Sequence, residues 1–271
     1  MKISFSGIFK NKTLLYFLLI LLLAFGLRLA RSVIDDKMDK DSVVYLWMAK
    51  SAAAGDINSA VAYNVRMPPL YIFLMAAGEY LGIGAFNAGM AVSVMAGTLL
   101  LIPVFSIAKT LSSDKIALFA SIVAATHPYL VRISAEIMRD SLFLLLIFAG
   151  LAFALKAAKG GKVLDWCIPG VFAGFAVMTR AEGIDLVFAI MLWFVLELYI
   201  SFSNKNAINT IKKTLASTFC LLAAFLLVTL PVQLLLSETS STWGPVDYRI
   251  MSFVRGFTEL TAKEVLKLEK H

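Results

Sequence analysis

The chain has 271 residues, is 60% hydrophobic and 16% charged, and carries a formal net charge of +7. Soluble domains run near a quarter charged, so a soluble fold of this size is excluded and lipid is the expected solvent. The positive charge suits anionic headgroups or phosphorylated substrates. No basic run with interleaved aromatics supports nucleic acid, which is not an expected partner.

Lys2, Lys10 and Lys12 precede an apolar run from Thr13 to Leu27. Such a start resembles a signal peptide, with Ala24-Phe25-Gly26 as a weak cleavage match. Arg28 and Arg31 follow at once and more spans come later, so the run reads as an uncleaved first span. Long uncharged runs predict seven helices, at about 13–34, 84–108, 115–131, 140–158, 164–180, 183–200 and 213–237. The expected fold class is all-α: a polytopic membrane helical bundle of about seven spans over residues 1–237. Residues 35–82 form its first outer loop, with surface helices, and 238–271 a short outer tail. Arg28, Arg139 and Arg180 fall at span ends, where long side chains snorkel to the interface. Cys167 and Cys220 lie inside apolar spans and read as packing residues. His127 and His271 are the only histidines, which excludes a histidine-rich metal site.

Lysines mark one side: the N-terminus, Lys109 and Lys115, Lys156, Lys159 and Lys162, then Lys205, Lys212 and Lys213. The positive-inside rule makes that side cytoplasmic. The N-terminus is then inside and the tail outside, in a cytoplasmic (inner) membrane. All eight arginines and most of the acids fall on the outer side. Arginine is the planar, bidentate ligand for phosphate and carboxylate, so the outer face suits a phosphorylated lipid substrate. The plain alternative is interfacial anchoring and surface ion pairing.

In the first outer loop, Asp35, Asp36, Asp39 and Asp41 crowd the end of the first span. Residues 42–54 read as a short helix on the membrane surface, ended by Gly55-Asp56. Asp41 and Tyr45 are four apart and share a face of it. Asp41 equally suits a helix N-cap. Arg66-Met67-Pro68-Pro69-Leu70-Tyr71 then forms a rigid elbow opening a second surface helix.

In the second outer segment Arg132, Glu136 and Asp140 are spaced four apart and are expected to line one helical face, with Arg139 beside them. An ion-paired helix start explains them equally well. His127 before Pro128 reads as a helix-end residue. The third outer turn, Thr179-Arg180-Ala181-Glu182-Gly183, offers either a phosphate ligand or an Arg–Glu pair in a tight turn.

The order Asp41…Tyr45, Gly55-Asp56, Arg66-Met67-Pro68-Pro69-Leu70-Tyr71, then Asp140 and Thr179-Arg180-Ala181-Glu182-Gly183 resembles the C-type (GT-C) membrane glycosyltransferases. The closest likeness is to the branch with the protein O-mannosyltransferases and the lipid A aminoarabinose transferases, over roughly residues 15–200. The resemblance implies an enzyme moving a sugar from a polyprenyl-phosphate carrier to an acceptor outside the cytoplasm. It implies Asp41 as base, with Asp140 and then Glu136 as further catalytic acids. Arg66, with Arg139 and Arg180, would meet the donor phosphate, and Tyr45 and Tyr71 belong to the same substrate site. The family often has Asp-Glu where this chain has Asp41-Ser42, a basic residue abutting the prolines where Met67 intervenes, and proline at Ala181.

The expected partners are the lipid-linked donor, membrane lipids and an unnamed acceptor. Family members usually continue into further spans and an outer domain, so a partner chain supplying such a C-terminal part belongs with them. No cofactor is firmly implied and no metal ligand is assigned. Asp41, Glu136 and Asp140 leave a divalent ion open without their spacing requiring one. The competing reading is a non-catalytic membrane subunit, or a truncated or pseudo-enzyme, that binds a lipid-linked sugar. A transporter would call for buried mid-span charges, which are scarce.

Overall fold

The computed structural model describes residues 12–34, 38–57, 68–202 and 207–237. Arg66 and the tail at 238–271 lie outside the described residues. In chain order the helices are α1 (Lys12–Ile34), α2 (Lys40–Ala53), α3 (Leu70–Tyr80), α4 (Ala85–Leu99), α5 (Leu101–Leu111), α6 (Asp114–Thr126), α7 (Pro128–Ser134) and α8 (Asp140–Ala158). After a 3-10 turn (Val163–Trp166) come α9 (Cys167–Val177), a second 3-10 turn (Ala181–Gly183), α10 (Ile184–Phe202) and α11 (Ala207–Ser237). No strand occurs among the described residues. That is the all-helical bundle lipid demands, because a spanning backbone must satisfy its own N–H and C=O groups.

Among the described residues, five helical stretches are long and apolar enough to cross a bilayer: 12–34, 85–111, 140–158, 181–201 and 208–234. α6 and α7 make a sixth when joined across a 59° bend. The bend sits where Pro128 removes a backbone donor, so the straight helix expected at 115–131 is broken. The helix expected at 164–180 is shorter than a span. Its 3-10 turn has four residues and α9 eleven, together about 24 Å long against a hydrocarbon core of about 30 Å.

α9 instead packs closely against α11. A Cβ added to Gly170 would lie 2.3 Å from the Leu221 carbonyl oxygen, and one on Gly174 would lie 2.8 Å from Val228 Cβ. Gly170→Ala therefore pushes on backbone that has nowhere to go. We expect a loss of about 1–3 kcal/mol of stability, measured by thermal unfolding in detergent. Gly26→Ala, whose added methyl meets nothing within 4 Å, should be near neutral.

Three apolar clusters hold the bundle. One joins α2, α3, α4 and α8 through Tyr45, Met48, Tyr71, Met75 and Leu146. A second gathers Trp166, Ala173, Leu186, Ile190, Phe194 and Leu221 around α9, α10 and α11. The third sets Phe17, Ile20 and Ala24 of α1 against Leu101 and Ala125. Cys167 and Cys220 are free and partly buried. α8 separates two chemically different ends. Asp140 opens it, while Lys159 at its other end donates to the Thr110 carbonyl, near the 2.9 Å pair of Lys109 and Asp114.

Candidate active site

α2 starts two residues earlier than its apolar run suggests, because Asp39 is its N-cap. The Asp39 carboxylate accepts from the Lys40 N–H at 2.7 Å. Asp41 is therefore not the cap. It sits in the first helical turn with its side chain exposed. The other end of α2 closes in a Schellman motif. The Asp56 N–H donates to the Ser51 carbonyl at 3.0 Å and the Gly55 N–H to Ala52 at 3.1 Å. Gly55 takes φ +85, a value that glycine alone adopts without strain.

Tyr45, one turn after Asp41, is 1% exposed. Its ring meets the Tyr71 ring edge-on at 5.7 Å between centroids. Tyr71 donates its hydroxyl to the Gly89 carbonyl at 3.0 Å and lies 2.9 Å from Ser93 Oγ. Ser93 in turn donates to the Met138 carbonyl at 3.1 Å, and Ser42 to the neighbouring Ile137 carbonyl at 3.1 Å. Two serines, one on α2 and one on α4, thus hold the backbone just before Arg139. The proline elbow is tied in as well. The Leu70 N–H donates to the Met178 carbonyl at 2.8 Å, which joins the first outer loop to the turn carrying Arg180.

The second outer segment departs from expectation. Arg132, Glu136 and Asp140 do not line one helical face, because α7 ends at Ser134 and residues 135–139 are not helical. The break leaves the Ile133 carbonyl without its usual helical donor. The Ser141 hydroxyl supplies one at 3.0 Å. Glu136 faces Arg132 at 3.9 Å, and Arg132 stacks over Tyr129. Asp140 turns to Arg180, whose Nη1 donates to its carboxylate. Arg180 Nε also lies 3.4 Å from Glu182. Its guanidinium stands 5.7 Å from the Phe143 ring centroid.

Arg139 differs from Arg180. Its guanidinium lies 6.0 Å above the Tyr45 ring, and its Nη1 is buried without a hydrogen-bond partner. A buried donor left unpaired costs about 1–3 kcal/mol, more when charged. Arg180 is thus neutralised by two carboxylates, while Arg139 Nη1 has no hydrogen-bond partner among the described residues.

Asp41, Arg139, Asp140 and Arg180 all act on the Tyr45 hydroxyl. Burial pushes its pKa up to about 12, opposed by Arg139 and Arg180 and reinforced by Asp41 and Asp140. Tyr45 is therefore a neutral phenol throughout the physiological range. The folded value is raised above that of the unfolded chain, so this contribution to stability is complete below about pH 10 and is lost as pH rises toward 12. Tyr45→Phe should flatten the fall in unfolding midpoint between pH 10 and 12. An unchanged slope would count against a buried phenol.

Of the residues the sequence nominated, Asp41, Tyr45, Tyr71, Arg139, Asp140 and Arg180 come together, with Glu136 paired to Arg132 beside them. Among the described residues, no three His, Cys, Asp or Glu side chains converge as a metal site. Ser42 and Ser93 were missed, since nothing in their spacing marks them. Their partners are carbonyls 95 and 45 residues away.

A family model described as dolichyl-phosphate-mannose-protein mannosyltransferase matches residues 66–234. The chain belongs to this family. It is a multi-pass membrane protein of the C-type glycosyltransferase class. No curated protein matches it. The match covers the proline elbow, Tyr71, Glu136, Arg139, Asp140 and Arg180; Asp41 and Tyr45 precede it.

Proposed function

We propose that the chain transfers a sugar from a polyprenyl-phosphate carrier to a hydroxyl-bearing acceptor on the outer side of the cytoplasmic membrane, with the N-terminus inside. The observation that carries this reading is the buried, unpaired Nη1 of Arg139 beside Tyr45, one helical turn from the exposed Asp41 carboxylate. The arrangement supports an anion-seeking donor and a proton acceptor near the same tyrosine.

In this reading the acceptor oxygen attacks the anomeric carbon and Asp41 takes its proton. The bond from that carbon to the phosphate oxygen breaks, and its electron pair leaves with the polyprenyl phosphate. Arg139, joined by Arg66, meets the charge developing there. Arg180 holds Asp140 at the start of α8. One displacement inverts the anomeric centre. The test is transfer of radiolabelled sugar from polyprenyl-phosphate donors by the purified chain in proteoliposomes. A rate no higher than that of protein-free liposomes, with mannose and other hexose donors alike, would sink the enzymatic reading in favour of a lipid-sugar-binding subunit.

A further inference from the structure

Arg28 was expected to snorkel from the end of the first span. It does the opposite. It is 0% exposed and heads the largest fully buried side chains. Its Nη1 donates to the Ala24 carbonyl at 3.1 Å and the Ala125 carbonyl at 3.2 Å, and its Nη2 to the Ala124 carbonyl at 3.4 Å.

Ala124 and Ala125 lie in the last turn of α6. In an unbroken helix the Ala124 carbonyl would accept from residue 128, which is proline and has no N–H. The Ala125 carbonyl would accept from residue 129, but the chain turns away at His127, with φ −61 and ψ 119, into the 59° bend. Both carbonyls lose their helical donors, Ala125 in a buried position and Ala124 in a partly buried one. They also form the negative end of the α6 dipole. A planar guanidinium supplies two donors in fixed geometry together with positive charge. Gly97 leaves the room it needs: a Cβ there would lie 2.9 Å from Arg28 Nε and 2.0 Å from Ser134 Oγ. Ser134, the last residue of α7, receives the Ser141 hydroxyl at 3.1 Å. The bend is thereby coupled to the start of α8 and to the turn bearing Arg139 and Asp140.

We infer that Arg28 is a positioning residue. By satisfying the two carbonyls stranded at Pro128 it holds the α6–α7 bend, and through α7 it fixes where Arg139 and Asp140 stand. It touches no substrate. Only the kinetic arm of its test rests on the proposed reaction.

The experiment compares Arg28→Met, Arg28→Lys and Gly97→Ala with wild type, as full chains in one membrane mimic. Amide hydrogen exchange is read at 124–140 and at 207–234, alongside donor-dependent transfer rates. In Arg28→Met and Gly97→Ala, exchange at 124–140 should quicken about tenfold while 207–234 is unchanged. Transfer kcat should fall about tenfold, with a smaller change in donor KM. Arg28→Lys, which keeps the charge without the fork, should recover part of both. Gly97→Ala keeps the guanidinium but pushes on Ser134 as well as on Arg28, so Arg28→Lys, which alters Arg28 alone, decides the matter if Arg28→Met does not fold. Unchanged exchange at 124–140 would overturn the inference. So would equal quickening at 207–234, or local opening with unaltered kinetics in an active enzyme. A wild type without transfer would overturn the proposed reaction while the exchange arm still decides the role of Arg28.

Discussion

Asp41→Asn should lower sugar transfer by about 10²–10⁴-fold, the usual contribution of a positioned base, with donor binding kept within about twofold. The substitution removes a proton acceptor without changing shape. It should also leave the fold intact. The capping bond belongs to Asp39, and a carboxylate in the first turn of an exposed helix is worth about 0.3–1 kcal/mol through the helix dipole. Loss of activity in Asp41→Asn would therefore not reflect unfolding. Asp39→Ala is the matching control. It should cost about 0.5–2 kcal/mol of stability as a lost cap, with little effect on transfer per folded molecule. Initial rates with a saturating donor, paired with thermal midpoints, separate the two. Full activity in Asp41→Asn would remove the base from the mechanism.

Arg139→Met should reduce kcat/KM for the donor by about 10²–10³-fold, the range seen when one donor to a developing oxyanion is removed. Its guanidinium has a buried nitrogen without a hydrogen-bond partner among the described residues. Removing it relieves a desolvation cost in the free enzyme and withdraws a contact from the bound phosphate. Arg139→Lys should not restore the rate, because a point ammonium on a shorter reach lacks the planar fork. Arg180→Met should behave differently. Arg180 already answers Asp140 and Glu182, and its loss leaves the partly buried Asp140 carboxylate without its guanidinium. Its main effect should be on the thermal midpoint, with a smaller loss in rate. Donor titrations on both variants give the answer. A larger kinetic loss in Arg180→Met than in Arg139→Met would move the phosphate contact to Arg180.

The role of Arg180 shows what residue spacing conveys and what it hides. The Thr179-Arg180-Ala181-Glu182-Gly183 turn could be read locally, and its Arg–Glu pair is present at 3.4 Å. Its pairing with Asp140, 40 residues away, has no local signature. The four-residue spacing of Arg132, Glu136 and Asp140 was misleading for the same reason. It assumes a continuous helix, and whether the helix continues depends on hydroxyls from α2, α4 and α8 that take over the carbonyls of residues 133, 137 and 138.

By itself the sequence determined the solvent, the helical class and the sites of most helices, because a lipid-exposed backbone has no other way to satisfy its polar groups. It also determined local ends written in a few adjacent residues, such as the Gly55-Asp56 close of α2. Which arginines are committed depends on contacts between distant segments. Arg28 turns inward to stranded carbonyls with its Nε left unpaired, Arg180 turns to two carboxylates, and Arg139 keeps an unpaired Nη1 over Tyr45. Arg28 lies inside α1, while Arg139 and Arg180 each stand just before a helical element. What separates them is which groups the fold brings within hydrogen-bonding reach, a property of segments distant in sequence.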